Sequence, residues 1–222
     1  MNDAVQSDTY AGVDFLLTLP TIDHITNSVK KFGRNSIIAK IDVSRSFRHV
    51  PIDPKDIDKL GLFWNDYFID LSLCFGFKHG SKIFQRLLDS VRYIMSEEKH
   101  HVICCIDDHV LFGNKDQCQR AYNRLTELLQ ELGFTISEHK NVTPTIDAVC
   151  LGILINTSTF LMSIPPGKLE NIKLMVHSWS CKKLQSLLGS LLYVSNVVKF
   201  SRFFLNRLLT KLSYWTKIST ET

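Results

Sequence analysis

The chain has 222 residues, of which 45% are hydrophobic and 22% are charged, as in an ordinary globular protein with a substantial core. No apolar run reaches the roughly 18 residues that span a bilayer, and residues 1–10 lack the apolar stretch of a secretory signal, so no membrane partner is expected. The six cysteines show no Cys-x-x-Cys spacing. This disfavours a zinc site or a disulfide framework and predicts an intracellular protein, cytoplasmic or nuclear, without a targeting signal.

The net charge of +4 is unevenly distributed along the chain. Residues 1–170 hold 18 Lys and Arg against 21 Asp and Glu, whereas residues 171–220 hold 8 Lys and Arg and no acidic residue. A slightly acidic body with a basic end indicates a polyanionic partner that is contacted through that end. A solvated helical face explains the same pattern equally well.

The predicted elements alternate between strands and helices as far as residue 165. They are a strand over 36–43, a hairpin over 60–71, a helix over 80–98, a hairpin around 107–108, a helix over 116–132, a strand over 134–137, and a hairpin of 149–155 with 160–164. Pro165-Pro166 ends the sheet, and helices are then predicted over 168–178, 182–197 and 200–215. This order predicts an α+β fold: a ferredoxin-like β-α-β-β-α-β unit followed by an all-helical segment.

The adjacent carboxylates Asp107 and Asp108 stand between two apolar segments in CCIDDHVLFG (104–113). Two like charges resist burial there unless a cation compensates them, although Asp-Asp also suits an ordinary hairpin turn. On the ferredoxin-like plan, Asp42 at the end of the first strand lies beside this hairpin. Three carboxylates from separate segments predict a Mg²⁺ site, and a pair of such ions supports in-line displacement at phosphorus.

Five segments occur in the order of reverse-transcriptase motifs A to E. They are KIDVSRSFRHV (40–50), LCFGFKHGSKIFQR (73–86), CIDD (105–108), ELGFTISEHK (131–140) and VCLGILI (149–155). With the helical tail KKLQSLLGSLLYVSNVVKFSRFFLNRLL (182–209), the chain resembles retrotransposon reverse transcriptases, most closely the DIRS-type (tyrosine-recombinase) and gypsy-like groups. The resemblance implies an N-terminal remnant over 1–36, a polymerase palm over 37–165 and a thumb-like helical segment over 166–222.

The resemblance also implies an RNA-directed DNA polymerase that adds deoxynucleotides (dNTPs) to a primer on an RNA or DNA template, using two Mg²⁺ ions for which Mn²⁺ can substitute. Asp42, Asp107 and Asp108 would be its catalytic carboxylates. Together with the backbone carbonyl of Val43 they would bind the metal. Lys140 falls where a motif-D lysine acts as general acid, although an isolated lysine after a strand is equally a surface residue.

Four residues would contact the incoming nucleotide. Phe47, five residues after Asp42, matches an aromatic steric gate that excludes a ribose 2′-OH; taken alone, such a phenylalanine is a core residue. Phe75 and Gly76 would line the nucleotide, and Gln85 would lie on the helix beneath it.

The primer–template duplex would be contacted at two places. Leu151 and Gly152 match the primer grip. On a helical wheel, several basic residues of the tail share a side with exposed rings, which is suited to a nucleic-acid backbone, with a solvated helix as the alternative. These basic residues are Lys199, Arg202, Arg207 and Lys211.

About forty residues precede Asp42, so the fingers hairpin with its basic triphosphate ligands is predicted to be largely missing. No RNase H or recombinase region is recognised, and these domains of a polyprotein are expected partners. Two functions stay open at this point: a reverse transcriptase domain derived from a retrotransposon, and a catalytically inactive nucleic-acid-binding relic of one.

Overall fold

The structure is a computed structural model that describes residues 9–10, 13–14, 17–177, 181–198, 200–203, 205–207 and 209–210. Its helices are α1 (Ile22–Phe32), α2 (Gly80–Glu97), α3 (Lys115–Glu131), α4 (Pro166–His177) and α5 (Cys181–Val194). Its strands are β1 (Thr9–Tyr10), β2 (Val13–Asp14), β3 (Ile37–Asp42), β4 (Gly61–Trp64), β5 (Asp66–Ile69), β6 (His101–Cys105), β7 (Asp108–Gly113), β8 (Val142–Thr145), β9 (Asp147–Cys150), β10 (Ile153–Asn156) and β11 (Leu161–Ser163). The chain forms two compact units, Met1–Ala148 and Val149–Thr222.

A four-stranded antiparallel sheet in the order β6-β7-β3-β8 is the centre of the first unit. The chain enters these strands and the two long helices in the order β3-α2-β6-β7-α3-β8. This is the ferredoxin-like β-α-β-β-α-β plan, and it confirms the predicted α+β fold class. The two central strands pair along their whole length, from Ile37 opposite Gly113 to Asp42 opposite Asp108.

The core of this unit lies between the sheet and helices α2 and α3. Phe84 and Leu88 of α2 and Leu125 and Leu129 of α3 are fully buried, because apolar residues spaced three and four apart share one helix face. Burial of each such side chain contributes about 1.5–3 kcal/mol. This packing fixes the two helices against the strands that carry the acidic residues.

Helix α3 has a well-defined start and end. Asn114 Oδ1 accepts a hydrogen bond from the Gln117 backbone N–H, and Gln117 Oε1 accepts one from the Asn114 N–H, which together form a capping box. Gly133 follows the helix with φ +81°, a left-handed conformation that favours glycine.

The fourth strand of the sheet differs from the prediction. It is β8, residues 142–145, whereas the segment 134–137 forms only one bridge, between Ile136 and Val43. Pro144 lowers the strand signal of β8 in the sequence, since proline cannot donate to a ladder. It is tolerated because β8 is an edge strand of its sheet. Helix α1 is also absent from the predicted elements.

The predicted strand 149–155 is in fact two strands. The chain turns back at Leu151 and Gly152, whose φ angles are +48° and +74°, so that β9 and β10 become neighbours in a three-stranded sheet β11-β10-β9. The predicted pairing of the next hairpin is confirmed by β10 and β11. Asn156 caps its turn by accepting hydrogen bonds from the backbone N–H groups of Ser158 and Thr159.

Helices α4 and α5 complete the second unit and confirm two of the predicted tail helices. Of the third, predicted over 200–215, residues 201–203, 205–207 and 209–210 are helical, Phe200 is in a turn, and the remainder lies outside the described residues. No helix in the described part of the chain is long and apolar enough to cross a membrane.

Candidate active site

The backbone brings the end of β3 and the β6–β7 turn together, as the sequence predicts. The Val43 N–H donates to the Asp107 carbonyl at 2.9 Å, one residue beyond the Asp42–Asp108 pair. The turn itself consists of Ile106 and Asp107, and Ile106 has φ +52°. A β-branched residue in this conformation costs of order 1–3 kcal/mol, so the surroundings must hold the turn in place.

The side chain of Gln85, on α2, forms hydrogen bonds with the backbone at this turn. Its Oε1 accepts a hydrogen bond from the Ile106 N–H at 2.7 Å, and its Nε2 donates to the Cys104 carbonyl and to Asp89 Oδ1, each at 3.2 Å. The side chain is 3% exposed. Gln85 thus lies on the predicted helix, but its polar atoms are occupied by the turn and by Asp89. The predicted nucleotide contact of Gln85 stays a prediction, and the structure adds its hydrogen bonds to the backbone at the turn.

Each of the paired carboxylates lies against a lysine. Lys140 Nζ is 3.1 Å from Asp42 Oδ1, and Lys40 Nζ is 2.9 Å from Asp108 Oδ1. Burial opposes ionisation of Asp42, but hydrogen bonds from Ser137 and Lys140 and the charge of Lys140 outweigh it and lower the pKa of Asp42. For Asp108, burial and the charge of Asp107 outweigh Lys40 and raise the pKa. Asp42 is therefore held in its ionised form more firmly than Asp108.

Among the described residues, no three His, Cys, Asp or Glu side chains are arranged to hold a metal ion. Lys40 and Lys140 lie beside two of the three predicted carboxylates. Asp42 Oδ1 is buried, with Lys140 Nζ 3.1 Å away. Asp107 is half-buried, and no described cation lies within 4.0 Å of its carboxylate.

The backbone of Asp42 is held by two residues that the sequence did not point to. The Asp42 N–H donates to Asn141 Oδ1 at 3.0 Å, and the Asp42 carbonyl accepts from the Ser137 N–H at 2.8 Å. The neighbouring Val43 carbonyl, predicted as a metal ligand, accepts a hydrogen bond from Ser46 Oγ at 3.3 Å. The position of Asn141 directly after Lys140 was its only sequence signal.

Phe47 lies at the boundary between the core and solvent. Its ring stands edge-on to the buried Phe84 at 5.7 Å and to Phe75 at 5.2 Å, and Phe75 is 69% exposed. Gly76, beside Phe75, is exposed with φ +83°. The ring of Phe47 thus has both the core contact and the partly open position that the two sequence interpretations required.

The second unit carries the predicted nucleic-acid contacts. Leu151 and Gly152 form the β9–β10 turn. Arg202 and Arg207 are exposed, Phe203 is 76% exposed and Leu205 is buried, so the described part of the last helix has the basic and apolar sides that its sequence predicts. The other two basic residues, Lys199 and Lys211, lie outside the described residues.

A ferredoxin-like sheet with carboxylates on its two central strands and an acidic turn at the same end is the architecture of a polymerase palm. The chain belongs to the reverse transcriptase (RNA-dependent DNA polymerase) family, whose model matches residues 2–155. Comparison with curated proteins gives no match.

Three solved structures of the foamy viral protease-reverse transcriptase share this fold, each at 20% identity. The dRH form in complex with double-stranded DNA superposes with a TM-score of 0.71, over 90% of this chain and 34% of that one. The complex with an RNA/DNA hybrid superposes with a TM-score of 0.68, over 80% of this chain and 24% of that one. A further double-stranded DNA complex superposes with a TM-score of 0.66, over 93% of this chain and 43% of that one. The chain thus spans less than half the length of these proteins.

Proposed function

We propose that the chain is the palm and adjoining helical segment of a retrotransposon reverse transcriptase, of the DIRS-type or gypsy-like group, that adds deoxynucleotides to a primer 3′-OH. One observation carries this proposal: the fold brings Asp42 at the end of β3, Asp107 in the β6–β7 turn and Asp108 at the start of β7 together at one end of the sheet. The foamy viral structures contain double-stranded DNA or an RNA/DNA hybrid, which supports a template–primer as the partner here. We also propose that the chain acts beside RNase H and recombinase domains of a polyprotein, and that it does so in the cytoplasm or the nucleus.

A divalent metal, Mg²⁺ or in its place Mn²⁺, is the group that this family uses. The donor set fits it: Asp42 and Asp108 face each other at the end of the sheet, and the neighbouring Asp107 carboxylate has no described cation within 4.0 Å. Asp42 and Asp107 would hold the metal, with Asp108 and the Val43 carbonyl joining them as Lys40 and Ser46 release these oxygens. The bound metal would stabilise negative charge on the reacting phosphate.

Lys140 is suited to hold a proton beside the reacting phosphates. Its hydrogen bond to Asp42 and the charge of that carboxylate raise the pKa of Lys140, so the ammonium form persists at neutral pH. A general acid for the leaving pyrophosphate must be protonated at the start of the reaction. With 52% of its side chain exposed, Lys140 is free to turn from Asp42 towards a phosphate.

The remaining predicted residues would orient the substrates. Phe47, supported by Phe84, would limit the space at the sugar 2′ position and select deoxynucleotides, while Phe75 and Gly76 would lie along the nucleotide. The Leu151-Gly152 turn and the basic last helix would hold the duplex through its backbone, which requires no particular base sequence.

Primer extension on a homopolymer RNA template with Mg²⁺ or Mn²⁺ tests the proposal. Extension by the unchanged chain and none by Asp107→Asn would support it. The second candidate, a nucleic-acid-binding relic, is favoured by Lys40 and Lys140, which occupy two of the three carboxylates. Duplex binding with no extension in either metal would support the relic.

A further inference from the structure

Within the second unit, Tyr193 of α5 fastens the β9–β10 turn. Its hydroxyl donates a hydrogen bond to the Leu151 carbonyl. A Cβ atom built on Gly152 would lie 2.7 Å from the same hydroxyl oxygen, so no side chain fits at that position. Burial raises the pKa of Tyr193, which keeps the hydroxyl protonated and able to donate. The turn is therefore fixed by Tyr193, which lies 42 residues after Leu151 in the chain.

Lys168, in the first turn of α4, lies over the face of the same ring. Its Nζ is 3.3 Å from the centroid of the Tyr193 ring, a cation–π contact. The same Nζ is 3.5 Å from the Cβ position of Gly152, so the ammonium group stands directly beside the turn. The ring thus holds a positive charge at a defined place on the turn.

This charge has no anionic partner among the described residues. No carboxylate there lies within 4.0 Å of Lys168, whereas Lys173 of the same helix pairs with Glu170 at 3.4 Å. Lys168 is half-buried, and this partial burial lowers its pKa. A partly desolvated, unpaired ammonium gains more from an approaching anion than a fully hydrated one does.

We propose that Lys168, positioned by Tyr193, binds one backbone phosphate of the nucleic-acid strand that lies along the Leu151-Gly152 turn. The hydroxyl of Tyr193 also occupies the Leu151 carbonyl, which removes an acceptor that would repel the phosphate. The ligand is thus a phosphodiester held by charge and not by base identity. Lys168 is the binding residue and Tyr193 the positioning residue. This inference rests on the proposed function of the chain as a polymerase domain.

The test measures the affinity of the full chain for a fluorescein-labelled double-stranded DNA primer–template as a function of salt concentration. Loss of one phosphate contact lowers the slope of log K against log salt by about 0.9. We expect this change for Lys168→Gln, and we expect Lys168→Arg, which keeps the charge and the contact with the ring, to restore the slope. Lys173→Gln is the matched control, since it removes an equal charge from the same helix at an exposed, paired position.

Tyr193→Phe separates positioning from charge. It keeps the ring beneath Lys168 but loses the hydrogen bond to the turn, so affinity should fall about three- to tenfold with little change in slope. Gly152→Ala would displace the Tyr193 hydroxyl and should weaken duplex binding to a similar extent. The thermal midpoint of each variant checks that it folds.

An unchanged slope for Lys168→Gln, or an equal loss for Lys173→Gln, would overturn the inference and leave the proposed polymerase function standing. Unchanged affinity of Tyr193→Phe would overturn the positioning role. Failure of the unchanged chain to bind the duplex at all would overturn both the inference and the proposed function.

Discussion

Asp42 and Asp108 lie directly opposite each other on the two central strands, and each is paired with its own lysine. Two facing carboxylates would repel each other strongly in a metal-free protein. Lys140 and Lys40 reduce this repulsion, so the metal-free site is an approximately balanced set of charges. The stability of carboxylate variants should therefore depend on which lysine each one leaves unpaired.

The first prediction compares two neighbouring carboxylates in metal-free buffer. Asp108→Asn leaves Lys40, whose side chain is only 16% exposed, without its charged partner, but it also removes a carboxylate whose pKa is raised by burial and Asp107, so it should lower the free energy of unfolding by only about 1 kcal/mol. Asp107→Asn breaks no described ion pair and should change it by less than about 0.5 kcal/mol. Urea denaturation measures both. Equal destabilisation by the two variants would show that the Lys40 pair contributes nothing to stability.

The second prediction concerns the support beneath the acidic turn. Gln85→Met fills a similar volume but leaves the Ile106 N–H and the Cys104 carbonyl without partners, so it should cost about 1–3 kcal/mol of unfolding free energy. Primer extension should fall further than this loss of folded protein explains, because Asp107 is no longer held. Gln119→Met, at an exposed position of α3, is the control and should change neither quantity. Full primer extension by Gln85→Met would show that the hydrogen bonds of Gln85 are not needed to hold the acidic turn in place.

The third prediction tests the steric gate. Phe47→Val removes a ring that contacts Phe75 and Phe84, and it should raise the ratio of ribonucleotide to deoxynucleotide incorporation. If Phe47 only fills the core, truncation costs stability and leaves this ratio unchanged. Phe63→Val, at a site of β4 that is 66% exposed and has no predicted role, serves as the comparison for general loss of aromatic surface.

The fourth prediction is a pH effect away from the site. Burial, reinforced by the charge of Lys31, lowers the pKa of His101, which packs against Phe32 and Phe112. Because the unfolded chain then binds a proton more readily than the folded one, stability is greatest above the ordinary histidine pKa of about 6.5 and falls as pH drops below it. His101→Phe keeps an aromatic ring and should reduce this loss between about pH 7 and 5.

The same substitution leaves the Ser28 hydroxyl satisfied, since it also donates to the His24 carbonyl. The measurement is the thermal midpoint of both proteins across that pH range. Identical pH profiles would contradict a neutral His101 in the folded state.

The fifth prediction concerns the last helix. Arg202→Gln combined with Arg207→Gln removes two exposed cations and should lower the salt slope of duplex binding by about 2. Arg124→Gln, which removes a cation that is paired with Glu98, should leave the slope unchanged. A slope unaffected by the Arg202 and Arg207 changes would assign this helix face to solvent.

The fold class was predictable because periodicity alone distinguishes its strands from its helices. The buried faces of α2 and α3 and the apolar runs of β6 and β7 on either side of the aspartates are clear in the sequence. The fourth strand was misplaced because Pro144 weakens β8, while the apolar Phe134 and Ile136 imitate a strand beside Val43. The break at Leu151 was missed because a leucine with positive φ is rare.

The carboxylates of the site could be identified from their spacing, but their partners could not. Lys40 reaches Asp108 only through the register in which Asp42 faces Asp108, and that register is a property of the assembled sheet. The supporting role of Gln85 likewise depends on how α2 packs beneath the turn. The motifs contain both residues but do not show which atoms they contact.

The most direct test of the proposed polymerase function is single-nucleotide primer extension by the full chain, with Asp107→Asn and Gln119→Met as paired variants. We expect metal-dependent extension by the unchanged chain and by Gln119→Met, and none by Asp107→Asn, with duplex binding retained in all three. Extension by Asp107→Asn at the rate of the unchanged chain would contradict the assignment of the acidic turn as the catalytic centre.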